Sequence, residues 1–159
     1  VILSSGGLPL IYLGDEVGTL NDYTFSEDSH KAADSRWVHR PQADQQRYEQ
    51  RHDLGTDAGK VFRRLTQLIQ LRKTIPALGG THLTVFYTHH PQVLGYWRGE
   101  GAERVLVLAN FGEKPAILSA LTLSGLPKAV TDLISGQSVP VEHGLLLEPY
   151  GVGWLRVVA

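Results

Sequence analysis

The chain has 159 residues, with 15 lysines and arginines against 16 aspartates and glutamates and a formal net charge of -1. That balance leaves no basic excess to reward nucleic acid or an anionic membrane surface, and no apolar run approaches the roughly 18 residues that a membrane span needs. Cysteine is absent, which excludes disulfides and thiolate metal sites while leaving the compartment open.

The opening Val1-Ile2-Leu3 has no basic stretch before it and does not read as a signal peptide. Methionine is also absent. The opening reads as the end of a helix stopped by Gly6-Gly7, so the expectation is a piece cut inside a domain. Leu8-Pro9-Leu10-Ile11-Tyr12-Leu13 then forms a short apolar run without alternation. Such a run predicts a strand covered on both faces, as in a parallel sheet, with Pro9 tolerated at its start. It runs into Gly14-Asp15-Glu16-Val17-Gly18, where two carboxylates are adjacent.

A polar stretch follows from Thr19 to about Thr56. Loops of this length inside a compact domain are uncommon and usually functional or disordered. Tyr23, Phe25, Trp37 and Tyr48 supply anchoring area and argue for order, and residues 42–50 after Pro41 predict a short helix. Thr56 or Asp57 then caps a longer helix. Val61, Phe62, Leu65, Leu68, Ile69 and Arg72 recur at helical spacing and define one face. Burying its five apolar side chains would contribute roughly 1.5–3 kcal/mol each, before entropy costs. Arg72 and Lys73 suit the negative end of the helix dipole. Residues 76–80, with Pro76, Gly79 and Gly80, read as a linker.

Beyond it, short apolar runs alternate with turn residues, the pattern of an antiparallel sandwich. The predicted strands cover residues 83–88, 93–98, 104–110, 116–123, 130–133, 144–147 and 152–158, with a hairpin turn at Arg98-Gly99-Glu100-Gly101. One strand, one long loop and one helix before residue 79 cannot bury their own faces. A polar loop at the end of a parallel strand is where (β/α) barrels build active sites, although a doubly wound sheet fits the same pattern.

The seven histidines do not make a metal site. His89-His90 would face opposite ways on a strand, and His30, His39 and His52 lack the i, i+4 spacing of a zinc helix. Trp37 reads as a loop anchor or a stacking platform, Trp97 and Trp154 as core or sheet-face residues. Arg63-Arg64 and Arg72-Lys73 read as a solvated basic edge, and the paired glycines as turns.

The segment Gly7-Leu8-Pro9-Leu10-Ile11-Tyr12-Leu13-Gly14-Asp15-Glu16-Val17-Gly18 resembles the eighth barrel strand of the α-amylase superfamily of glycoside hydrolases. The helix ending in Leu68-Ile69-Gln70-Leu71-Arg72-Lys73-Thr74-Ile75-Pro76-Ala77-Leu78 resembles that superfamily's last barrel helix. The resemblance implies an α/β plus all-β chain. Residues 1–78 would be the last strand-loop-helix unit of a (β/α)8 TIM barrel, and residues 79–159 an antiparallel β-sandwich domain C. Within the superfamily, Gly18-Thr19-Leu20-Asn21-Asp22-Tyr23 and Ser26-Glu27-Asp28-Ser29-His30-Lys31-Ala32-Ala33-Asp34-Ser35-Arg36-Trp37-Val38-His39-Arg40-Pro41 are similar to loop eight of the amylosucrases. Many relatives carry Arg-x-Pro-Met-x-Trp there; this chain has Asp34-Ser35-Arg36-Trp37 and a later Arg40-Pro41.

That resemblance implies retaining glucosyl transfer from sucrose to an α-1,4-glucan, with fructose released, a carboxylate nucleophile and a carboxyl acid/base, and no cofactor. It implies that the catalytic carboxylates come from strands preceding this chain, so no catalytic residue is assigned here and the fragment alone is expected to be inactive. The missing N-terminal part of the same chain would be its partner, with sucrose and α-glucan as substrates. Arg36 would bind at the pocket floor by pairing with an aspartate from that missing part, since a guanidinium gives a carboxylate two parallel donors. Asp15, Glu16 and Asp34 are expected to support it. Asp15 and Glu16 are adjacent, so on an extended segment they point apart. A sucrose hydrolase or α-glucosidase of the same fold remains open, as does a non-catalytic carbohydrate-binding sandwich. The sandwich alone would leave the first 75 or so residues with exposed apolar faces.

Overall fold

The structure, a computed structural model, describes residues 1–157. They divide into two compact units: Val1–Pro9 together with the chain from Leu68 onward, and Leu10–Gln67. One long helix, α2 (Asp57–Lys73), contributes residues to both.

The first unit is an antiparallel β structure. Eight strands follow in order: β1 (Leu83–Val85), β2 (Val93–Arg98), β3 (Val105–Asn110), β4 (Ala116–Leu118), β5 (Ala129–Asp132), β6 (Ser138–Pro140), β7 (Leu145–Leu147) and β8 (Val152–Arg156). Six form one sheet in the order β1-β2-β3-β8-β5-β6, while β4 and β7 pair as a second. Every pairing is antiparallel among the described residues. Alternation decides what lies between the sheets. Leu106, Leu108 and Leu155 from the large sheet meet Ala116, Leu118, Leu145 and Leu147 from the small one, with Leu123 and Val141 filling in. At roughly 25 cal/mol per Å2 of apolar surface removed from water, this cluster is the main stabilising term of the unit.

Strand β3 is buried along its whole length, because the other face of the large sheet is covered too. There Tyr96, Val107 and Trp154 lie side by side in register, and Tyr96 Oη lies 2.8 Å from Ser4 Oγ. Arg98, fully buried, donates to the carbonyls of Ala77, Leu78 and Gly80. Arg72 donates to the carbonyls of Leu3 and Gly7. Two arginines thus satisfy carbonyls that irregular backbone would otherwise leave orphaned. The expected linker over residues 76–80 is a packed turn instead: α3 (Pro76–Gly79) carries Leu78, which is fully buried. Asn110 closes the end of β3 by donating to the carbonyls of Lys114 and Glu148 and accepting from Gly112 N.

Two expectations need correction. The run Leu8–Leu13 is not a strand: Leu8, Leu10 and Leu13 are 98, 79 and 72% exposed. A parallel strand has no hydrogen bonds of its own and depends on neighbours. All eight strands among the described residues pair with one another, so none is left for it, and the described residues contain no barrel. Nor is the apolar face of α2 buried. Phe62, Leu65, Leu68 and Ile69 are half-buried, and only Ala58 and Gly59 are sealed.

The second unit is short helical turns strung on loop. Three of them begin at an aspartate whose carboxylate accepts a backbone N–H just downstream. Asp22 accepts from Thr24 N, Asp34 from Arg36 N, and Asp44 from Arg47 N at the start of α1 (Gln45–Glu49). This is the N-cap chemistry that makes aspartate favoured before a helix. Thr56 caps α2 by accepting from Gly59 N at 3.1 Å.

Candidate functional site

The carboxylates expected near the strand exit serve the backbone. Asp15 opens a 3-10 turn over Asp15–Val17, and its Oδ2 accepts from Tyr12 N at 3.3 Å. Glu16 Oε2 accepts from Gly14 N at 2.8 Å, and its Oε1 accepts from the Tyr48 hydroxyl at 3.1 Å. Burial, and then the hydrogen bond to Glu16, push the Tyr48 phenol above its ordinary value. Arg47 adds a second tie by donating to the carbonyls of Val17 and Gly18. The loop base is therefore pinned to α1 by a phenol and a guanidinium from adjacent positions of that helix.

Arg36 and Asp34 form a compact pair. Arg36 Nε lies 2.8 Å from Asp34 Oδ1, and Arg36 Nη2 lies 2.8 Å from Oδ2, a two-point contact of the kind guanidinium geometry favours. The same carboxylate accepts from Arg36 N. The side-chain bond from Arg36, then its backbone N–H, hold Asp34 at about 2, well below the usual carboxylate range. The Arg36 side chain is 74% exposed, so its remaining donor edge faces solvent. Trp37, in the same turn, is half-buried between Lys31 and Arg40, whose cationic groups lie 5.5 and 5.6 Å from its ring centroid. Two cations against one indole make it an anchor for its own loop.

A cleft of about 220 Å3 lies beside these residues, with Tyr12, Asp15, Thr19, Asn21 and His39 in its wall. Asn21 Oδ1 and His39 Nδ1 are 3.1 Å apart across it. Asp15 contributes to this wall; Glu16, Asp34 and Arg36 do not. The sequence reading named Tyr48 as a loop anchor and His39 among the histidines, but the contacts of Tyr48, Arg47 and the Asn21–His39 pair escaped it. Their partners lie 18 to 32 positions away, and no local pattern marks such contacts. Among the described residues no three histidines, cysteines or carboxylates gather as a metal site, and no helix is long and apolar enough to cross a membrane.

Residues 83–154 match the sequence family described as the maltogenic amylase C-terminal domain. Over nearly the whole chain the fold is similar to a pullulanase from an Anoxybacillus species (18% identity, 99% of this chain and 21% of that one, TM-score 0.63). It is also similar to a MutB mutant in complex with the substrate sucrose (20% identity, 98% of this chain and 36% of that one, TM-score 0.66). AmyP in complex with maltose matches less of it (16% identity, 67% of this chain and 23% of that one, TM-score 0.55). The chain thus spans well under half the length of the structures it resembles.

Proposed function

We propose that this chain is the closing part of a sucrose-using, retaining glucosyltransferase of the amylosucrase type, which transfers glucosyl units from sucrose to an α-1,4-glucan and releases fructose. The observation that carries the reading is joint. Residues 83–154 match a maltogenic amylase C-terminal domain, and the fold likeness to a pullulanase and to a sucrose-bound MutB mutant covers 99 and 98% of the chain, so it extends beyond that domain. A sandwich module alone would not extend the likeness to the first 80 or so residues. The preference for amylosucrase over other sugar enzymes rests on the loop sequence from Gly18 to Pro41.

In this reading residues 1–78 complete a (β/α)8 barrel whose other strands bring the catalytic carboxylates, and residues 79–159 are the C-terminal β domain. Arg36 binds at the floor of a pocket one sugar deep. Asp34 then has a defined task. It holds the guanidinium plane by two contacts and leaves the outward edge of Arg36 for a carboxylate from the preceding part of the chain. Asp15 and Glu16 shape the loop base. No cofactor takes part.

The test is expression of the parent with its upstream sequence and incubation with sucrose, separating fructose, glucose and glucan. Fructose with α-glucan and little glucose is the expected result. Equal glucose and fructose without polymer would make the parent a sucrose hydrolase. In the same parent, Arg36→Ala is expected to raise KM for sucrose, because it removes contacts that position one glucosyl unit. Unchanged kinetics would remove Arg36 from the site.

A further inference from the structure

A second cleft, of about 230 Å3, lies on the β unit where β1 and β2 run out into the turn from Gly99 to Arg104. We propose that it binds one hexosyl unit of a glucan chain. The register sets Thr84 of β1 directly opposite Trp97 of β2, so both stand on the same face of the sheet. The Trp97 indole is half-buried and held from two directions. The Arg104 guanidinium lies 4.0 Å from its ring centroid, and the Phe86 ring meets it edge-on at 6.0 Å and 88°. It is therefore a fixed group in the cleft wall, with the guanidinium over one of its faces.

Beside that wall His82 joins two polar groups. Its Nδ1 is 2.7 Å from Glu100 Oε1 and its Nε2 is 3.1 Å from Thr84 Oγ1. The imidazole so orients a carboxylate and a hydroxyl without using them up. Among the described residues, Glu100 Oε2, the Arg104 guanidinium and Trp97 Nε1 have no hydrogen-bond partner. The lining of the cleft thus includes an acceptor, donors and an aromatic group.

This mixture selects among ligands. A phosphate would meet the Glu100 carboxylate. A metal ion would find only His82 and Glu100, short of the three ligands a held ion needs. An apolar ligand would strip water from four polar side chains and return nothing. A pyranose ring has hydroxyls that both donate and accept, and apolar C–H groups to set against the part of the indole that lines the cleft. The cleft is smaller than the roughly 300–1,000 Å3 of enclosed small-molecule sites, which fits one ring held at the surface. The hexose class follows from the cleft; the choice of an α-glucan rests on the function proposed above.

The test is titration of the 159-residue chain with maltoheptaose, followed through the indole N–H resonances of its three tryptophans. Trp97 is expected to shift and saturate, while Trp154, buried in the β core, stays in place and reports an intact fold. Glu100→Gln, at an exposed position and followed at Trp97, is expected to weaken binding by about 10-fold, the scale of a hydrogen bond to a charged group, and Trp97→Ala, followed by isothermal titration calorimetry, is expected to weaken it at least as much. No saturable shift at Trp97 in a chain whose Trp154 signal is folded overturns the proposal. So does binding that survives both substitutions. Should cellohexaose shift Trp97 as strongly as maltoheptaose, the hexose site stands and the α-glucan preference falls, whatever the parent does with sucrose.

Discussion

Gly59 sits three residues into α2, where a glycine ought to be a defect. In an exposed helix interior, replacing glycine by alanine gains about 1 kcal/mol from backbone entropy and propensity. Here the sign reverses. A Cβ at position 59 would lie 1.9 Å from the Asp53 carbonyl oxygen and 3.1 Å from that of Gln50. Restoring ordinary contact, at about 3.4 Å, requires the Asp53 carbonyl to move by about 1.5 Å. That oxygen accepts from Thr56 Oγ1 at 2.8 Å and from Thr56 N at 3.1 Å, and Thr56 is the residue that caps the helix. Overpacking costs about 1–3 kcal/mol, and two weakened hydrogen bonds about 0.5–1.5 kcal/mol each. Against the propensity gain, Gly59→Ala is expected to destabilise by about 1–5 kcal/mol, read as a lower urea midpoint in far-ultraviolet circular dichroism. Gly79→Ala is the control, since nothing lies within 4 Å of a Cβ there; it should be neutral or slightly stabilising. A Gly59→Ala chain as stable as the parent sequence would refute the close approach of the 53–59 turn.

The loop pair gives a pH prediction with a definite sign. Asp34 is depressed to about 2, and Asp22 and Asp28 are also lowered, by hydrogen bonds from Thr24 and His30. Groups depressed on folding contribute order that is present above their ordinary values, near 3.8, and is lost as pH falls through the folded ones. Residues 22–40 should therefore stay ordered at pH 4 and loosen toward pH 2 in amide exchange. In Arg36→Ala the Asp34 titration should rise toward the ordinary range, and an unmoved titration would mean that the pair does not persist in solution. For the loop base, Glu16→Gln should lower the Tyr48 phenol titration while leaving Tyr96 alone. The Tyr96 shift is set first by burial and has no contact with Glu16, and tyrosine ring resonances followed against pH separate the two.

What the sequence showed plainly was periodicity. Seven of the eight strands were legible as apolar runs between turn residues. The missed one, β6, contains a single apolar side chain, Val139, ahead of Pro140. Its pairing with β5 is fixed by a turn in which Asp132 accepts from Ile134 N and Ser135 N while Gly136 adopts a φ of 73°. A sandwich strand set by its turn carries little hydrophobic signal of its own. Helix α2 was legible with its cap, because capping is local. The order of the long loop was legible in its aromatics, but the way it is held was not. Glu16–Tyr48 and Arg47–Val17 join residues about 30 apart, and such contacts are decided by tertiary packing. The partner of Arg36 was expected from the missing part of the chain; within these residues the arginine rests on Asp34, two positions away.

The exposed run Leu8–Leu13 supplies a test of the whole reading. Its sequence favours a strand covered on both faces, yet Leu10 is 79% exposed here. An exposed leucine is replaceable. In the 159-residue chain Leu10→Asp should change stability by no more than about 0.5 kcal/mol, as surface substitutions do. In the parent the proposed barrel would enclose the same position. The leucine would there contribute about 1.5–3 kcal/mol of burial, and a carboxylate in its place would be desolvated without a partner, at a cost of several kcal/mol more. The substitution should then abolish folding or sucrose turnover in the parent while leaving the short chain untouched. Paired denaturation curves of the two chains, each with and without the change, read the difference directly. Equal tolerance in both would mean that this segment is surface loop in the parent as well. The barrel assignment for residues 1–78 would then fall, while the β domain, which rests on its own core, would stand.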